Sequence, residues 1–175
     1  IMIDSQGRVV TSVTSAYTLS PGYGKTFGMF DCYKPNGTRA WHAIDESGSS
    51  FGLAAGLSGD VYAVGRTYGD GTNDWQGNMI ALRFTSNGTR AWAVLIDNNN
   101  QKDVGERAVV DGVGDLIAVG TSYDAARPMA QLLTRKRRRS NGATRWARVV
   151  DTGSASTWYS SGDAFRATST ANGDI

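Results

Sequence analysis

The sequence predicts an all-β fold built from tandem units of about fifty residues each. Two short motifs recur along the chain with one spacing, and the segments around them are rich in Val, Ile, Thr, Tyr, Phe and Trp. Glycine is abundant, at 22 of the 175 residues. β-branched and aromatic residues favour strands and glycine favours tight turns, so this balance indicates many short strands and does not favour helix.

The first motif joins an Asn-Gly pair to a tryptophan. Asn-Gly-Thr-Arg-Ala-Trp occupies residues 36–41, recurs identically at 87–92, and returns in altered form at 141–146. The copies start 51 residues apart (36 to 87) and then 54 apart (87 to 141). Asn-Gly predicts a β-hairpin turn because both residues tolerate a positive φ. The motif marks six structural positions: Gly37, Gly88, Gly142, Trp41, Trp92 and Trp146.

The second motif is a glycine just before an apolar strand. It occurs at Gly7, Gly59, Gly114 and Gly173, with spacings of 52 (7 to 59), 55 (59 to 114) and 59 residues (114 to 173). Because two independent motifs share one period, they indicate a true repeat. The repeats run approximately over residues 7–58, 59–113 and 114–172, with a stub at 173–175.

Four strands are predicted in the second repeat, at residues 60–67, 79–84, 90–96 and 106–110. The first of them is apolar on both alternating faces, with Val61 on one face and Tyr62 on the other. This pattern predicts an inner strand covered on two sides. The recurring tryptophan, at positions 41, 92 and 146, falls on the third strand of each repeat, and we expect it to point between neighbouring sheets.

Units of this length with four antiparallel strands are typical of β-propeller blades. The predicted fold is therefore all-β: a β-propeller, or a segment of one, with three repeats of 51–59 residues in a single region covering residues 1–175. Closed rings have about four to eight blades. We therefore expect this region to be part of a longer chain.

The pattern resembles the SBBP-type β-propeller repeats of bacterial extracytoplasmic proteins. Their blades carry a Gly-Asp/Asn strand with three aliphatic residues and a closing Gly, and later an Asn-Gly-x-x-x-Trp turn. The likeness rests on residues 59–65 with 87–92, and on 114–120 with 141–146. A more distant resemblance is to PQQ-type repeats, but Ala81-Leu82-Arg83 stands where that family has Ala-x-Asp. Both resemblances imply a propeller, and the first implies a location outside the cytoplasm.

Composition narrows the classes of function. The net charge is +2, from 18 Lys and Arg against 16 Asp and Glu, which gives no general reason to expect nucleic acid as a partner. The sequence contains no run of about eighteen apolar residues, so it predicts no membrane span. The lone Cys32 cannot form an internal disulfide, so cysteine pairing does not indicate the redox compartment.

The strongest local charge signal is a run of five basic residues. It comprises Arg135, Lys136, Arg137, Arg138 and Arg139. Such a run can bind phosphate, an acidic glycan or an acidic protein surface. The structural alternative is a solvated edge strand whose charges prevent edge-to-edge aggregation.

Two loop-like insertions contain further candidates. Oxygen-rich residues that a calcium ion favours occur at Asp70, Asn73 and Asp74, although no bidentate glutamate follows and a plain turn is the alternative. Aromatic residues that stack on sugars or anchor a partner protein occur at Trp75, Trp158 and Tyr159. Loop packing against a blade is the alternative for these three.

Four single residues are further candidates. His42, the only histidine, is expected to be a solvent-facing strand residue, and Cys32 an ordinary strand thiol, because neither has a catalytic partner in the sequence. Asn36 and Asn87 begin N-glycosylation sequons on predicted turns, although the turn chemistry alone explains both.

The leading hypothesis is a non-catalytic structural or interaction module, located outside the cell or on its surface, that binds a protein or a glycan. No cofactor is expected. One alternative is a fragment of a propeller enzyme, related to quinone-dependent dehydrogenases or polysaccharide-cleaving propellers, with its active site in the central channel. Another is a subunit of a filament or larger surface assembly that pairs through exposed strand edges.

Overall fold

A computed structural model describes residues 1–20, 23–67, 77–98, 102–124 and 127–155 of the protein. These residues form three four-stranded antiparallel sheets, and the one helical segment among them is a single 3-10 turn at Leu57–Gly59. The all-β prediction is confirmed. In each sheet, strands that are consecutive in the chain are hydrogen-bonded neighbours.

The first sheet contains β1 (Met2–Ile3), β2 (Val9–Ser20), β3 (Tyr23–Tyr33) and β4 (Arg39–Asp45). The second sheet contains β5 (Ser49–Ala55), β6 (Val61–Arg66), β7 (Met79–Phe84) and β8 (Arg90–Ile96). The third sheet contains β9 (Lys102–Val110), β10 (Leu116–Asp124), β11 (Arg127–Arg137) and β12 (Thr144–Ala155). The strands predicted at 60–67, 79–84 and 90–96 correspond to β6, β7 and β8.

The strands are grouped into sheets differently from the sequence-based repeats. The strand predicted at 106–110, as the last of the second repeat, is the end of β9, which pairs with β10 in the third sheet. A tight turn is the reason: the amide of Asp111 donates to the carbonyl of Asp115 at 3.1 Å, which brings Val110 opposite Leu116. Each sheet therefore begins one strand before the glycine motif.

Both motifs form turns, and these turns lie at the same end of the strands in the three sheets. This end of the sheets is named here the turn edge. The turn edge comprises residues 4–8, 34–38, 56–60, 85–89, 111–115 and 138–143. Among the described residues, the glycines with positive φ are one from each of these turns. The asparagine before Gly37 and Gly88 does not share this conformation, so the hairpin turn is a β-turn closed by a left-handed glycine, rather than the expected pair of positive-φ residues.

The first and second sheets pack face to face through an apolar core. Its buried members are Val10, Phe30, Cys32 and Trp41 from the first sheet and Val61, Ala63, Ile80, Leu82 and Phe84 from the second. The Phe84 ring is central, because its centroid lies 4.7 Å from that of Phe30 and 6.2 Å from that of Trp41. Burial of each large apolar side chain contributes about 1.5–3 kcal/mol to stability.

The second and third sheets pack together in the same way. The buried core here contains Ala54, Tyr62, Val64, Met79, Ala81, Trp92 and Ile96 from the second sheet and Leu116, Ala118 and Leu133 from the third. Val61 and Tyr62 therefore face different sheets, which confirms that β6 is covered on both faces. The Tyr62 hydroxyl donates to the Gly114 carbonyl at 2.7 Å, and burial raises the pKa of Tyr62 to about 12.

Each interface is closed at the turn edge by a tryptophan. Nε1 of Trp41 donates to the carbonyl of Ser86 at 3.1 Å, and Nε1 of Trp92 donates to the carbonyl of Arg139 at 2.9 Å. Both acceptors lie in the β-hairpin turn of the following sheet, and both indole side chains are buried. The prediction that these two tryptophans point between sheets is confirmed; Trp146, on β12, is half-buried.

Glycines let the second and third sheets approach closely on the side of β5, β6 and β9. A Cβ atom added to Gly105 would lie 2.9 Å from the backbone nitrogen of Gly65, and one added to Gly52 would lie 2.8 Å from the carbonyl oxygen of Glu106. On the side of β8, by contrast, the whole indole ring of Trp92 lies between the sheets. The interface is therefore wedge-shaped.

The contact between Trp41 and the next turn is tested by Gly88→Ala, with Gly37→Ala as its matched control. Both glycines have a left-handed backbone, at φ +86° and +82°, so each alanine carries backbone strain of about 1–2 kcal/mol. A Cβ at position 88 would also lie 2.7 Å from the Trp41 ring, whereas nothing lies within 4 Å at position 37. Urea denaturation should show a loss of unfolding free energy that is about 1–3 kcal/mol greater for Gly88→Ala. Equal losses would contradict the docking of Trp41 on this turn.

Candidate functional site

The turn edge between the second and third sheets carries a cluster of arginines around one buried carboxylate. Asp60 immediately precedes β6 and is 4% exposed. Arg83 of β7 donates to its Oδ2 atom through Nε at 3.1 Å and Nη2 at 2.8 Å. Arg139 donates to the same oxygen through Nε at 3.1 Å and Nη2 at 2.9 Å. One carboxylate oxygen therefore holds a guanidinium group from each of the two sheets.

Two further arginines extend this cluster. Arg145 of β12 forms an ion pair with Asp115, whose Oδ1 atom accepts a hydrogen bond from the Arg139 amide at 2.9 Å. Arg138 is exposed, and no hydrogen bond or ion pair of its guanidinium is found within the part of the chain that the structure describes. Three of the four guanidinium groups thus pair with two carboxylates, and the cluster has an excess of two positive charges.

The four arginines line an open cavity of about 370 Å³, named here the arginine cavity. Its wall also contains Asp115, Val113 and Ser140. The Val113 side chain is 67% exposed, so apolar surface lies beside the charged groups. The cavity therefore combines guanidinium donors, a carboxylate, a hydroxyl and an apolar patch.

The scaffold holds one of these arginines firmly. Nη1 of Arg83 donates at 2.9 Å to the Arg139 carbonyl, the same oxygen that accepts the Trp92 indole, and the Arg83 side chain is 14% exposed. The interface of the first and second sheets repeats this arrangement, because Nη1 of Arg8 donates at 2.9 Å to the Ser86 carbonyl that also accepts Trp41. The turn carbonyl therefore receives one tryptophan and one arginine in both interfaces.

The basic run divides between the cavity and the sheet. Arg138 and Arg139 line the arginine cavity, whereas Arg135, Lys136 and Arg137 belong to β11. β11 lies between β10 and β12, so the alternative of a solvated edge strand is wrong. The physical reason is the register, in which Arg135 pairs with Ala118 on one side and Ala147 on the other.

The three basic residues of β11 are engaged within the third sheet and its surroundings. Lys136 Nζ lies 2.5 Å from Asp111 Oδ2, Nη1 of Arg137 donates to Thr144 Oγ1 at 2.8 Å, and Nη2 of Arg135 donates to Asn98 Oδ1 at 3.4 Å. Burial lowers the pKa of Arg135 and of Arg137. These three residues serve the packing of the fold, and the two that follow them in the run face the cavity.

His42 and Cys32 lie where the sequence analysis expected them. His42 is exposed on β4, with Nδ1 3.0 Å from Asp31 Oδ1. Cys32 is fully buried in the core between the first and second sheets. Burial raises the pKa of its thiol, which disfavours the reactive thiolate.

The two sequon asparagines are exposed and shape their own turns. Asn36 Oδ1 accepts hydrogen bonds from the Thr38 amide at 3.1 Å and the Thr38 hydroxyl at 2.8 Å. Asn87 Oδ1 accepts one from the Thr89 amide at 3.2 Å. The turn chemistry therefore accounts for both asparagines, and their exposure leaves them accessible to modification.

Several candidates from the sequence lie outside the described residues. They are the calcium candidates Asp70, Asn73 and Asp74 and the aromatic candidates Trp75, Trp158 and Tyr159. Within the described ranges, no group of three or more His, Cys, Asp or Glu side chains is placed to hold a metal ion. Those ranges also contain no helix that is long and apolar enough to cross a membrane.

Sequence reasoning missed Arg83, Arg145 and the two carboxylates that organise the cavity. One signal was present, because Arg83 occupies the repeat position that holds Cys32 in the first sheet, and a departure from a repeat often marks function. The pairing of Arg83 with Asp60 and Arg139 was not accessible, because Arg139 is separated from Asp60 by 79 residues.

The role of the cavity is inferred from the chemistry of the side chains that line it. No protein-family model matches the chain, and no curated protein matches it. Guanidinium groups stay protonated in proteins and present a planar set of donors that suits phosphate, sulfate and carboxylate groups. The arrangement is therefore suited to binding an anionic group.

The turn that leads into the cavity is anchored by Asp111. Its Oδ1 atom accepts hydrogen bonds from the amides of Val113 at 3.0 Å and Asp115 at 2.9 Å, and its Oδ2 atom pairs with Lys136. Burial by itself would raise the pKa of Asp111. The hydrogen bond from Lys136 and those from the two amides outweigh burial and hold the pKa below its usual value of 3.8.

Asp111→Asn tests this anchor through its pH dependence. A folded-state pKa below the unfolded value means that the Asp111 carboxylate stabilises the fold above pH 3.8, and that this contribution is lost as the pH falls through the folded-state pKa. Asparagine keeps an oxygen acceptor but leaves Lys136, whose side chain is 18% exposed, without its counter-charge. We expect a loss of about 1–3 kcal/mol in unfolding free energy at pH 7, shrinking below about pH 4.

The control for this variant is Asp31→Asn, which removes a carboxylate that pairs with the exposed Arg39 and His42. Exposed ion pairs contribute about 0.2–1 kcal/mol, so this change should have a smaller effect. Chemical denaturation of both variants and the unmodified protein from pH 2.5 to pH 7 gives the comparison. A difference for Asp111→Asn that is independent of pH would contradict the assigned role of the Lys136 ion pair.

Proposed function

We propose that the three sheets are successive blades of a β-propeller that works as a non-catalytic interaction module, and that its turn edge binds a protein or a glycan. The wedge-shaped packing of the second and third sheets supports the propeller. Sheets that touch through glycine backbones on one side and are separated by an indole ring on the other are inclined as blades around an axis. The repeated Trp41 and Trp92 contacts support a regular step from blade to blade.

The arginine cavity is the observation that carries the interaction role. It lies at the turn edge, it opens to solvent, and its arginines exceed its carboxylates in charge. Binding residues often lie on loops and turns that a rigid scaffold positions. Here the scaffold is rigid at that position because the Trp92 indole and the Arg83 guanidinium both bind the Arg139 carbonyl.

Two considerations favour binding over catalysis. Arginine does not exchange protons near neutral pH, so the four side chains that dominate the cavity are poor general acids or bases. The carboxylate in the cavity wall, that of Asp115, is paired with Arg145. A location outside the cell is part of the proposal, and its support is the resemblance to extracytoplasmic propeller repeats.

The proposal is tested by screening the protein against an array of neutral, sulfated, phosphorylated and uronic-acid glycans, together with acidic peptides, while the same ligands are monitored for turnover. An anionic ligand should bind, remain chemically unchanged, and be released as the salt concentration rises from about 0.05 to 0.5 M, because salt screens exposed charges. Turnover of a bound ligand would contradict the non-catalytic role. Binding that is indifferent to salt would contradict the role of the turn-edge charges.

A further inference from the structure

We propose that the arginine cavity is a binding site for a saccharide that carries a single anionic group, such as a sulfate or phosphate ester. The proposal rests on the proposed function and names the class of ligand for the same site. The anionic group would meet the guanidinium of Arg138 and the solvent-facing side of Arg145. A hydroxyl group of the sugar would meet Ser140, which is exposed.

Arg138 is the first reason for expecting an anion. Its guanidinium has no partner within the described residues, although the neighbouring Arg139 and Arg145 are each paired with a carboxylate. An arginine that points to a cavity shared with three other arginines raises the local positive potential, and a bound oxyanion lowers it. The planar guanidinium group can donate hydrogen bonds to two oxygens of a sulfate, phosphate or carboxylate at once.

The remaining wall favours a sugar over a simple ion or a polyanion. The Ser140 hydroxyl can donate hydrogen bonds to sugar hydroxyl groups and accept them, and the Asp115 carboxylate in the wall disfavours a second anionic group on the ligand. The exposed Val113 side chain offers an apolar surface to the C–H face of a ring. A ligand with one anionic group, a hydroxyl group near Ser140 and one apolar face fits this lining.

The size of the cavity agrees with this assignment. Its volume of about 370 Å³ lies at the small end of the range for small-molecule sites. A protein interface involves about 20–30 residues on each side, whereas seven residues line this cavity. A monosaccharide unit with its charged substituent is therefore the better fit, either free or at the end of a longer chain.

In the test, the protein is titrated with glucose 6-sulfate, glucose 6-phosphate, glucuronate and glucose. Binding is measured by isothermal titration calorimetry or ligand-observed NMR. At least one charged sugar should bind at least about tenfold more tightly than glucose, since a hydrogen bond to a charged group changes affinity by about that factor. The three charged sugars distinguish a sulfate, a phosphate and a carboxylate as the preferred group. Equal affinity for all four compounds would overturn the proposal.

Arg138→Gln is the decisive variant, because this guanidinium has no partner among the residues that the structure describes and its removal should leave the unfolding free energy unchanged. It should weaken binding of the preferred sugar by about tenfold. Arg145→Lys keeps a charge for Asp115 but loses the planar fork, so it should weaken binding while the protein still folds. The charge-matched control is Arg39→Gln, at the turn edge of the first sheet, where the side chain is 60% exposed.

The results separate this inference from the proposed function. If an array ligand binds with the same affinity to the unmodified protein, Arg138→Gln and Arg39→Gln, the module binds through another surface and the assigned cavity is wrong. If Arg138→Gln weakens an acidic peptide and no charged sugar binds, the cavity is a peptide site and the saccharide assignment is wrong. If a sugar that binds is also converted to product, the non-catalytic function is wrong while the binding site stands.

Discussion

The structure depends on a contact in which the first and second sheets each place a tryptophan on the turn of the following sheet. Trp41 and Trp92 each give an indole N–H to a backbone carbonyl in the following turn, that of Ser86 or of Arg139. The contact joins a large buried apolar ring to a satisfied hydrogen bond, and it keeps an indole ring between the neighbouring sheets. Glycine backbones on the opposite side complete the wedge.

The same turns supply the candidate binding surface. The carbonyl that receives the indole also receives an arginine, Arg8 in one interface and Arg83 in the other. In the first interface that arginine forms an ion pair with Asp4, in which Arg8 Nη2 lies 2.7 Å from Asp4 Oδ2. In the second interface Arg83 shares its carboxylate, Asp60, with Arg139, and Arg138 and Arg145 add further charge. In the second interface the carbonyl that receives the tryptophan therefore lies at the base of a positively charged cavity, and its arginine comes from a different repeat position.

Local features of the fold could be predicted from the sequence, since strands and turns are encoded in neighbouring residues. The apolar residues on both faces of β6 predicted burial on two sides, and the tryptophans of the recurring motif predicted contacts between sheets. The assignment of β9 to the third sheet could not be predicted, because the strand pattern alone does not show whether the segment before β9 or the turn at Asp111 joins two sheets. The position of the basic run on an inner strand could not be predicted either, because partners such as Asp111 for Lys136 are set by the strand register.

The candidate site was less predictable than the fold. The basic run pointed to the correct region, but two of its five members reach the cavity, and the other two arginines of the cavity lie elsewhere in the chain. Three residues separated along the sequence, Asp60, Arg83 and Arg139, meet because the sheets stack. A site formed where two repeats meet cannot be found by comparing the repeats with one another, because its residues come from both.

The central claim is that the indole N–H groups of Trp41 and Trp92 are held in the interfaces between sheets. Hydrogen–deuterium exchange of the indole protons, followed by NMR and assigned with Trp41→Phe and Trp92→Phe, measures this directly. Both protons should exchange far more slowly than that of a free indole and should become exposed only when the sheets separate. Exchange of either proton at the rate of free indole in the folded protein would contradict the account.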